Sequence, residues 1–234
     1  MSNPGAARNT SRPPLPVKVC GITRLADGQA ALDAGAAALG FIFYSPSPRY
    51  IQPEMAARIV EALAPEVVKV GVFVGAEADE INRIAETCSL TWVQLHGGEP
   101  AELIAQLERP AYRAFRLKEQ SDVAQIRESE DQLLLLDTYD PDHYGGTGKP
   151  FDWNWVIDLA RERRVILAGG VSPENAARAV NMVAPVALDV SSGVETAPGI
   201  KDRDKLNRLF DELREAGFSG HSPWSLEHAS GSKT

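Results

Sequence analysis

The stretch PVKVCGIT, Pro16 to Thr23, ends a short apolar run on a thiol. A cysteine acts as a base or nucleophile through its thiolate, so its neighbours matter. Lys18 lies two residues before Cys20 and shares its face of an extended chain. Two residues of strand span roughly 6 to 7 Å, and an ammonium at that range favours the thiolate. The expectation is a thiol modestly below its free value of about 8.5. A buried lysine in turn needs a counter-ion. Asp189 shares its parity with Ala187 and Ser191 in VALDVSSG and is the available carboxylate. An interior Lys18–Asp189 pair beneath Cys20 is therefore expected if those two runs are neighbours. The plainer reading of Cys20 is a small buried hydrophobe.

Three other groups are of types that do chemistry. Asp137 closes the run QLLLLD. Four leucines followed by one carboxyl put that group at a rim, where desolvation favours the protonated form of a general acid. A helix cap or a loop-organising ion pair is the alternative. Arg49 sits in the proline-rich FYSPSPRYI and could clamp a carboxylate with its planar fork, or simply be solvated. Glycine turns in ILAGGVSPEN, with Gly169 and Gly170, and in LDVSSGVE, with Ser192 and Gly193, could cradle a phosphate on backbone N–H groups; tight-turn geometry explains them equally. His96 could touch a substrate but reads better as a hydrogen-bonded structural residue, and His143, His221 and His228 carry no signal. Cys88, in AETCSLTW, reads as a buried residue at a helix end.

These residues share a location once the elements are drawn. Strand-type runs fall at 17–22, 38–44, 67–74, 91–97, 111–118, 132–137, 164–170 and 186–193, each followed by a helix candidate. Thr23 stands where a helix cap belongs, and Gly35 stands where that helix should stop. Pro53, Pro100 and Pro173 suit first helical turns, and Ser172 with Asn175 approximates a capping box. Eight strand–helix units in about 200 residues point to a single-domain α/β protein, a closed (β/α)8 TIM barrel. An open doubly wound sheet is the competitor, but it usually carries GxGxxG after its first strand, where this chain has CGIT. In a barrel the first and eighth strands are neighbours, and functional groups gather at strand C-termini. Cys20, Asp137, Gly169, Gly170, Asp189, Ser192 and Gly193 all fall there. The loop DPDHYGGTGKPFDW, with Gly145, Gly146 and Gly148, reads as a ligand-hugging or mobile segment.

Composition narrows the partners. The chain has 234 residues, a formal charge of −8 and a pI near 5.1, which argues against nucleic-acid and membrane-surface roles. Two cysteines 68 residues apart, with no CxxC, give no zinc spacing and suggest a reducing compartment. No apolar run approaches a membrane span, and the N-terminus lacks a signal peptide's apolar centre. Residues 1–16 read as a disordered lead, 17–216 as the catalytic barrel and 217–234 as a loose tail.

The stretches KVCGIT, LGFIFYSPSPRYI, VGVFV, VQLHGGE, LLLLDTYDPDHYGGTGKPFDW, ILAGGVSPENAARAV and LDVSSGVETAPGIKD, in that order over about residues 17 to 205, resemble the phosphoribosylanthranilate isomerase family of tryptophan biosynthesis. The resemblance implies a cofactor-free, metal-free Amadori rearrangement of N-(5-phosphoribosyl)anthranilate to 1-(2-carboxyphenylamino)-1-deoxyribulose 5-phosphate. It also implies Cys20 as general base, Asp137 as general acid and Arg49 as the anthranilate anchor. Gly169, Gly170, Ser192 and Gly193 fall in its phosphate loops, and Asp189 is counted with the substrate site. A cytoplasmic monomer or homodimer acting on a small molecule follows. Two other readings remain. One is an aminoimidazole-carboxamide ribonucleotide isomerase, which resembles a carboxylate pair with aspartate where Cys20 stands. The other is a catalytically dead phosphosugar-binding protein.

Overall fold

In this computed structural model the described residues are 15–139 and 151–218. Eight short strands form a closed parallel barrel in chain order. They are β1 (Val17–Cys20), β2 (Ala38–Ile42), β3 (Val68–Phe73) and β4 (Trp92–Leu95), then β5 (Ala111–Leu117), β6 (Leu133–Thr138), β7 (Arg164–Leu167) and β8 (Ala187–Val190). Each lies within one residue of a run expected from sequence. Most of the expected runs overshoot at the C-terminal end. There the apolar residues give way to glycine and polar groups, and the ladder stops.

The helical layer departs more from expectation. Helices α1 (Leu25–Ala34), α2 (Pro53–Glu61) and α3 (Ala78–Thr87) follow the first three strands. After β4 there is only a 3₁₀ segment, Ala101–Gln106, so Pro100 precedes a short turn rather than a helix. Then come α4 (Asp122–Glu128), α5 (Ile157–Glu162), α6 (Ala176–Val183) and α7 (Arg203–Glu215). A small hairpin, β9 (Glu195–Ala197) and β10 (Ile200–Lys201), separates β8 from α7.

Two caps differ from the expectation. Thr23 does not cap α1; Arg24 holds that position without a side-chain bond, and Thr23 Oγ1 donates to the Gly199 carbonyl at 2.6 Å. Near α6 only half of a capping box forms. Asn175 Oδ1 accepts from Ser172 N at 2.8 Å, but the Ser172 hydroxyl turns to Glu174, and the helix begins later, at Ala176. Gly35 closes α1 at φ 124°, a conformation that favours glycine. Pro53 opens α2 as expected.

Alternation along the strands sorts side chains into two cores. Outward residues such as Val17, Val19 and Leu39 meet the helices. Inward residues, including Ala38, Val70, Leu135, Ile166 and Ala187, fill the barrel. The inner set is interrupted by Lys18, fully buried. The β1/β8 register pairs Lys18 with Asp189. The fold begins slightly earlier than the sequence suggests. Leu15 is buried, and the Pro16 carbonyl accepts from Leu188 N at 3.0 Å, because β8 needs a partner below Val17.

Helix α7 closes the ring by burying Leu206, Leu209, Phe210 and Leu213 and packs against α1 and α6. Leu209→Ala is expected to lower stability by about 2 to 5 kcal/mol, the range for a leucine removed from a close-packed core. Urea denaturation of the two proteins measures it.

Candidate functional site

A cavity of about 680 Å³, including its open mouth, lies over the C-terminal ends of the strands. Cys20, Arg49, Asp137, Asp189, Gly169, Gly170 and Ser192 all line it, so most of the residues singled out from sequence share one site. Gly193 does not. A Cβ there would sit 2.1 Å from the Val171 carbonyl oxygen, so this glycine lets the loop after β8 press against the loop after β7. Gly145, Gly146, Gly148 and His143 lie outside the described residues.

The floor of the cavity is ionic. Lys18 Nζ donates to Asp189 Oδ2 at 2.7 Å and to Gln94 Oε1 at 2.9 Å. Burial opposes the ammonium, yet Asp189 beside it raises the lysine well above its ordinary range and keeps it charged. The expected interior pair is therefore present. Its expected effect on the thiol is not. Burial pushes Cys20 up from its ordinary value, and Lys18 and Lys201, pulling the other way, do not overcome it. The sequence argument counted the through-space attraction and underweighted the loss of water around a thiol only 6% exposed. Packing leaves no slack: a Cβ on Gly40 would lie 2.7 Å from Cys20 Sγ and 3.0 Å from Lys18 Cε.

Arg49 is buried beside the cavity, and its fork is engaged. Nε lies 3.0 Å from each Glu195 carboxylate oxygen, and Nη2 donates to Oε2 at 2.7 Å. The bidentate edge that sequence reasoning reserved for a ligand is held by Glu195, and Nη1 is the group outside that fork. Glu195 also takes Lys201 Nζ at 2.7 Å and Gly199 N at 3.2 Å. Burial alone would raise its carboxyl, but Arg49 and Lys201 together hold it below the usual range. Lys201 Nζ reaches on to the Cys20 carbonyl at 2.5 Å, which Ser191 Oγ also contacts at 3.1 Å. This cluster fixes the backbone of the thiol-bearing residue. Sequence reading passed over Glu195 and Lys201, although an acid and a base flanking a glycine turn in GVETAPGIK carried the signal.

Asp137 is on the far side of the mouth, since β6 is three strands from β1 around the closed ring. Its Oδ1 accepts from Thr138 N at 2.7 Å, and its Oδ2 lies 3.3 Å from His96 Nε2. Gly169, at φ 73°, passes directly over it; a Cβ there would be 2.5 Å from Thr138 Oγ1 and 3.2 Å from Asp137 Oδ1. His96 is hydrogen-bonded, with Nδ1 2.7 Å from Gln94 Nε2, and it also lines the cavity. Gln94 was not singled out, yet its alternation with His96 in VQLHG puts both on the inner face. Cys88 is what the sequence suggested: it caps α3, is buried, donates to the Pro53 carbonyl and is pushed up to about 11 by burial.

Residues 17–212 match the family described as N-(5'-phosphoribosyl)anthranilate (PRA) isomerase. The chain is 49% identical over 199 residues to the N-(5'-phosphoribosyl)anthranilate isomerase of Geobacter sp. (strain M21), covering 85% of this chain and 98% of that one. The crystal structure of phosphoribosyl anthranilate isomerase from Thermotoga maritima superposes with a TM-score of 0.81 at 40% identity, covering 86% and 99% of the two chains. A phosphoribosyl anthranilate isomerase in complex with reduced 1-(o-carboxyphenylamino)-1-deoxyribulose 5-phosphate is 38% identical with a TM-score of 0.78, covering 86% of this chain and 99% of that one.

Two outcomes follow from the buried pair. Lys18→Met leaves Asp189 without its cation and should cost about 3 to 5 kcal/mol, and adding Asp189→Leu should recover most of that loss. Chemical denaturation of both variants measures the recovery. The raised thiol predicts that alkylation of Cys20 keeps accelerating as pH passes 9, and in Lys18→Met the curve should move higher still. Saturation below pH 9 in the parent protein would contradict it.

Proposed function

The chain belongs to the N-(5'-phosphoribosyl)anthranilate isomerase family, and from that premise we propose that Cys20 and Asp137 are the base and acid of its isomerisation, with Arg49 holding the anthranilate carboxylate. The enzyme converts N-(5-phosphoribosyl)anthranilate, an aminoaldose, into its ketose isomer within tryptophan biosynthesis. The observation that carries the assignment is the Cys20 thiol and the Asp137 carboxyl lining the same cavity from β1 and β6.

The chemistry asks for such a pair. The C1–O bond of the furanose breaks when Asp137 gives its proton to the ring oxygen, and the anilino nitrogen lone pair forms the C1=N bond. The resulting iminium acidifies the C2–H. Cys20, as thiolate, takes that proton, and the C–H electrons become the C1=C2 bond and return the C1=N pair to nitrogen. Ketonisation of the enol completes the product. Protons given and taken balance, so no external oxidant or reductant enters. A thiol raised by burial forms less thiolate, but the thiolate it forms is the stronger base, which suits abstraction from carbon.

The substrate's charges have matching partners. Gly169 and Gly170, both at φ 73°, and Ser192 after β8 are the proposed phosphate turns, the position at which barrels of this kind hold a phosphate. Ser172 N is engaged by Asn175, so the phosphate falls to the other N–H groups of these turns. Asp189 serves the site indirectly, as the counter-ion of Lys18. Cys20 and Cys88 are both free, which fits a reducing cytoplasm, and no helix among the described residues is long and apolar enough to cross a membrane. The working form under this reading is a monomer or homodimer acting on a small molecule.

Steady-state turnover of N-(5-phosphoribosyl)anthranilate tests the roles. Cys20→Ala and Asp137→Asn should each lower kcat by about a hundredfold or more, the scale of acid–base catalysis. Near-parental turnover in either folded variant removes that residue from its role. Arg49→Lys, which cannot keep a planar fork on Glu195 and also reach a ligand, should raise KM by about tenfold, equivalent to about 1.4 kcal/mol.

A further inference from the structure

We infer that Gln94 is a positioning residue of the reaction: it fixes the proton of His96 on Nε2, so that His96 donates towards Asp137 as that carboxyl becomes negative. This rests on the acid role of Asp137 proposed above and adds the device that supports it.

Donors and acceptors along this chain of contacts allow only one arrangement. Lys18 carries a buried ammonium, and an ammonium only donates. It lies 2.9 Å from one terminal atom of the Gln94 amide, so that atom is the carbonyl oxygen. The Tyr112 hydroxyl, 3.1 Å away, donates to the same oxygen. The other end of the amide is therefore the NH2 group, which only donates. It faces His96 Nδ1 at 2.7 Å, so Nδ1 offers its lone pair, and in a neutral ring the proton belongs to Nε2. That N–H is buried, has no aligned partner among the described residues, and lies 3.3 Å from Asp137 Oδ2. A fixed ion pair at the bottom of the barrel thus dictates, through two hydrogen bonds, which nitrogen carries a proton at the rim.

The value of this arrangement lies in the acid step. When Asp137 gives its proton to the ring oxygen, a carboxylate appears against His96 Nε2–H. A loosely aligned contact then becomes a charge-assisted hydrogen bond, and such contacts commonly tighten only when substrate is bound. An interaction that strengthens with developing charge lowers the barrier without tightening ground-state binding. The relay should therefore act on kcat and leave KM nearly alone. It also orders the groups by function: Lys18, Asp189 and Tyr112 orient Gln94, Gln94 orients His96, and His96 meets the reacting carboxyl.

The decisive variant is Gln94→Glu, which keeps shape and accepts where glutamine donates. Its carboxylate can still take Lys18 and Tyr112 on one oxygen and would accept a hydrogen bond from His96 Nδ1–H on the other. Nitrogen-15 NMR of the imidazole in the full-length protein at neutral pH reads the tautomer directly. The parent should show one proton, on Nε2, and Gln94→Glu should show Nδ1 protonated. Turnover in that variant should fall about tenfold or more with KM within about twofold, for a removed transition-state contact. Gln94→Leu, which removes the hydrogen bond without imposing a charge, should lose the single-tautomer signature. A parental ring protonated on Nδ1 overturns the inference, as does a Gln94→Glu enzyme with switched tautomer and unchanged kcat. The two readings separate cleanly. If Asp137→Asn keeps its turnover, the acid role falls while the tautomer result stands. If Asp137→Asn loses turnover but the parental proton is on Nδ1, the relay alone falls.

Discussion

A lysine with no exposed surface in the middle of a barrel is the constraint around which the rest is arranged. Its charge has to be met inside, so β8 must present Asp189 opposite it, and β4 must present an oxygen from Gln94. Those demands reach three strands, β1, β4 and β8, around the cavity. Stability is not the main thing such a pair supplies, since replacing a buried ion pair with apolar residues of similar volume is often close to neutral. What it provides is direction: a fixed cation gives an otherwise apolar interior a sense of which way each neighbouring dipole points.

That ordering explains which parts were legible in the sequence. The eight strands could be found because each is a short apolar run that must be buried. The Lys18–Asp189 pair followed because parity and ring closure leave little freedom, and an unpaired buried charge is too costly to persist. The balance at Cys20 was misjudged for the opposite reason. It is a difference between two large terms, and the size of the burial term depends on how closely Gly40, Lys18 and the loops crowd the sulfur. Composition does not contain that. Gln94 and Glu195 left only faint local cues, in VQLHG and GVETAPGIK, because the partners that give each its role lie 76 and 146 residues away in the chain. After β4 the chain makes only 3₁₀ turns between Pro100 and Leu107, although that stretch is as long as the one that holds α4.

A second ionic group sits beside the first and works differently. Arg49, Glu195 and Lys201 come from the loop after β2 and the hairpin after β8, and they tie those loops to the carbonyl of Cys20. Loops are the mobile part of a barrel, so a catalytic residue at the strand end gains precision when both neighbouring loops are anchored to its own backbone. Arg49 is in this sense a structural member of the rim as well as the proposed ligand for the substrate. Its effect on affinity and its effect on loop order are expected to be inseparable by truncation and separable only by changing Glu195.

The tight fit around Gly40 has an implication for how such a site can change over time. A Cβ at that position would lie 2.7 Å from Cys20 Sγ and 3.0 Å from the Lys18 stem, so a larger residue enters only if one of those side chains shifts or becomes smaller. A thiol-to-carboxylate exchange at position 20 would meet the same wall from the other side. A change at position 20 is therefore coupled to positions 18 and 40, and an engineer wishing to re-purpose this barrel would redesign the three together. The packing around the sulfur thus ties the choice of residue at one strand end to the choices made at its two neighbours in space.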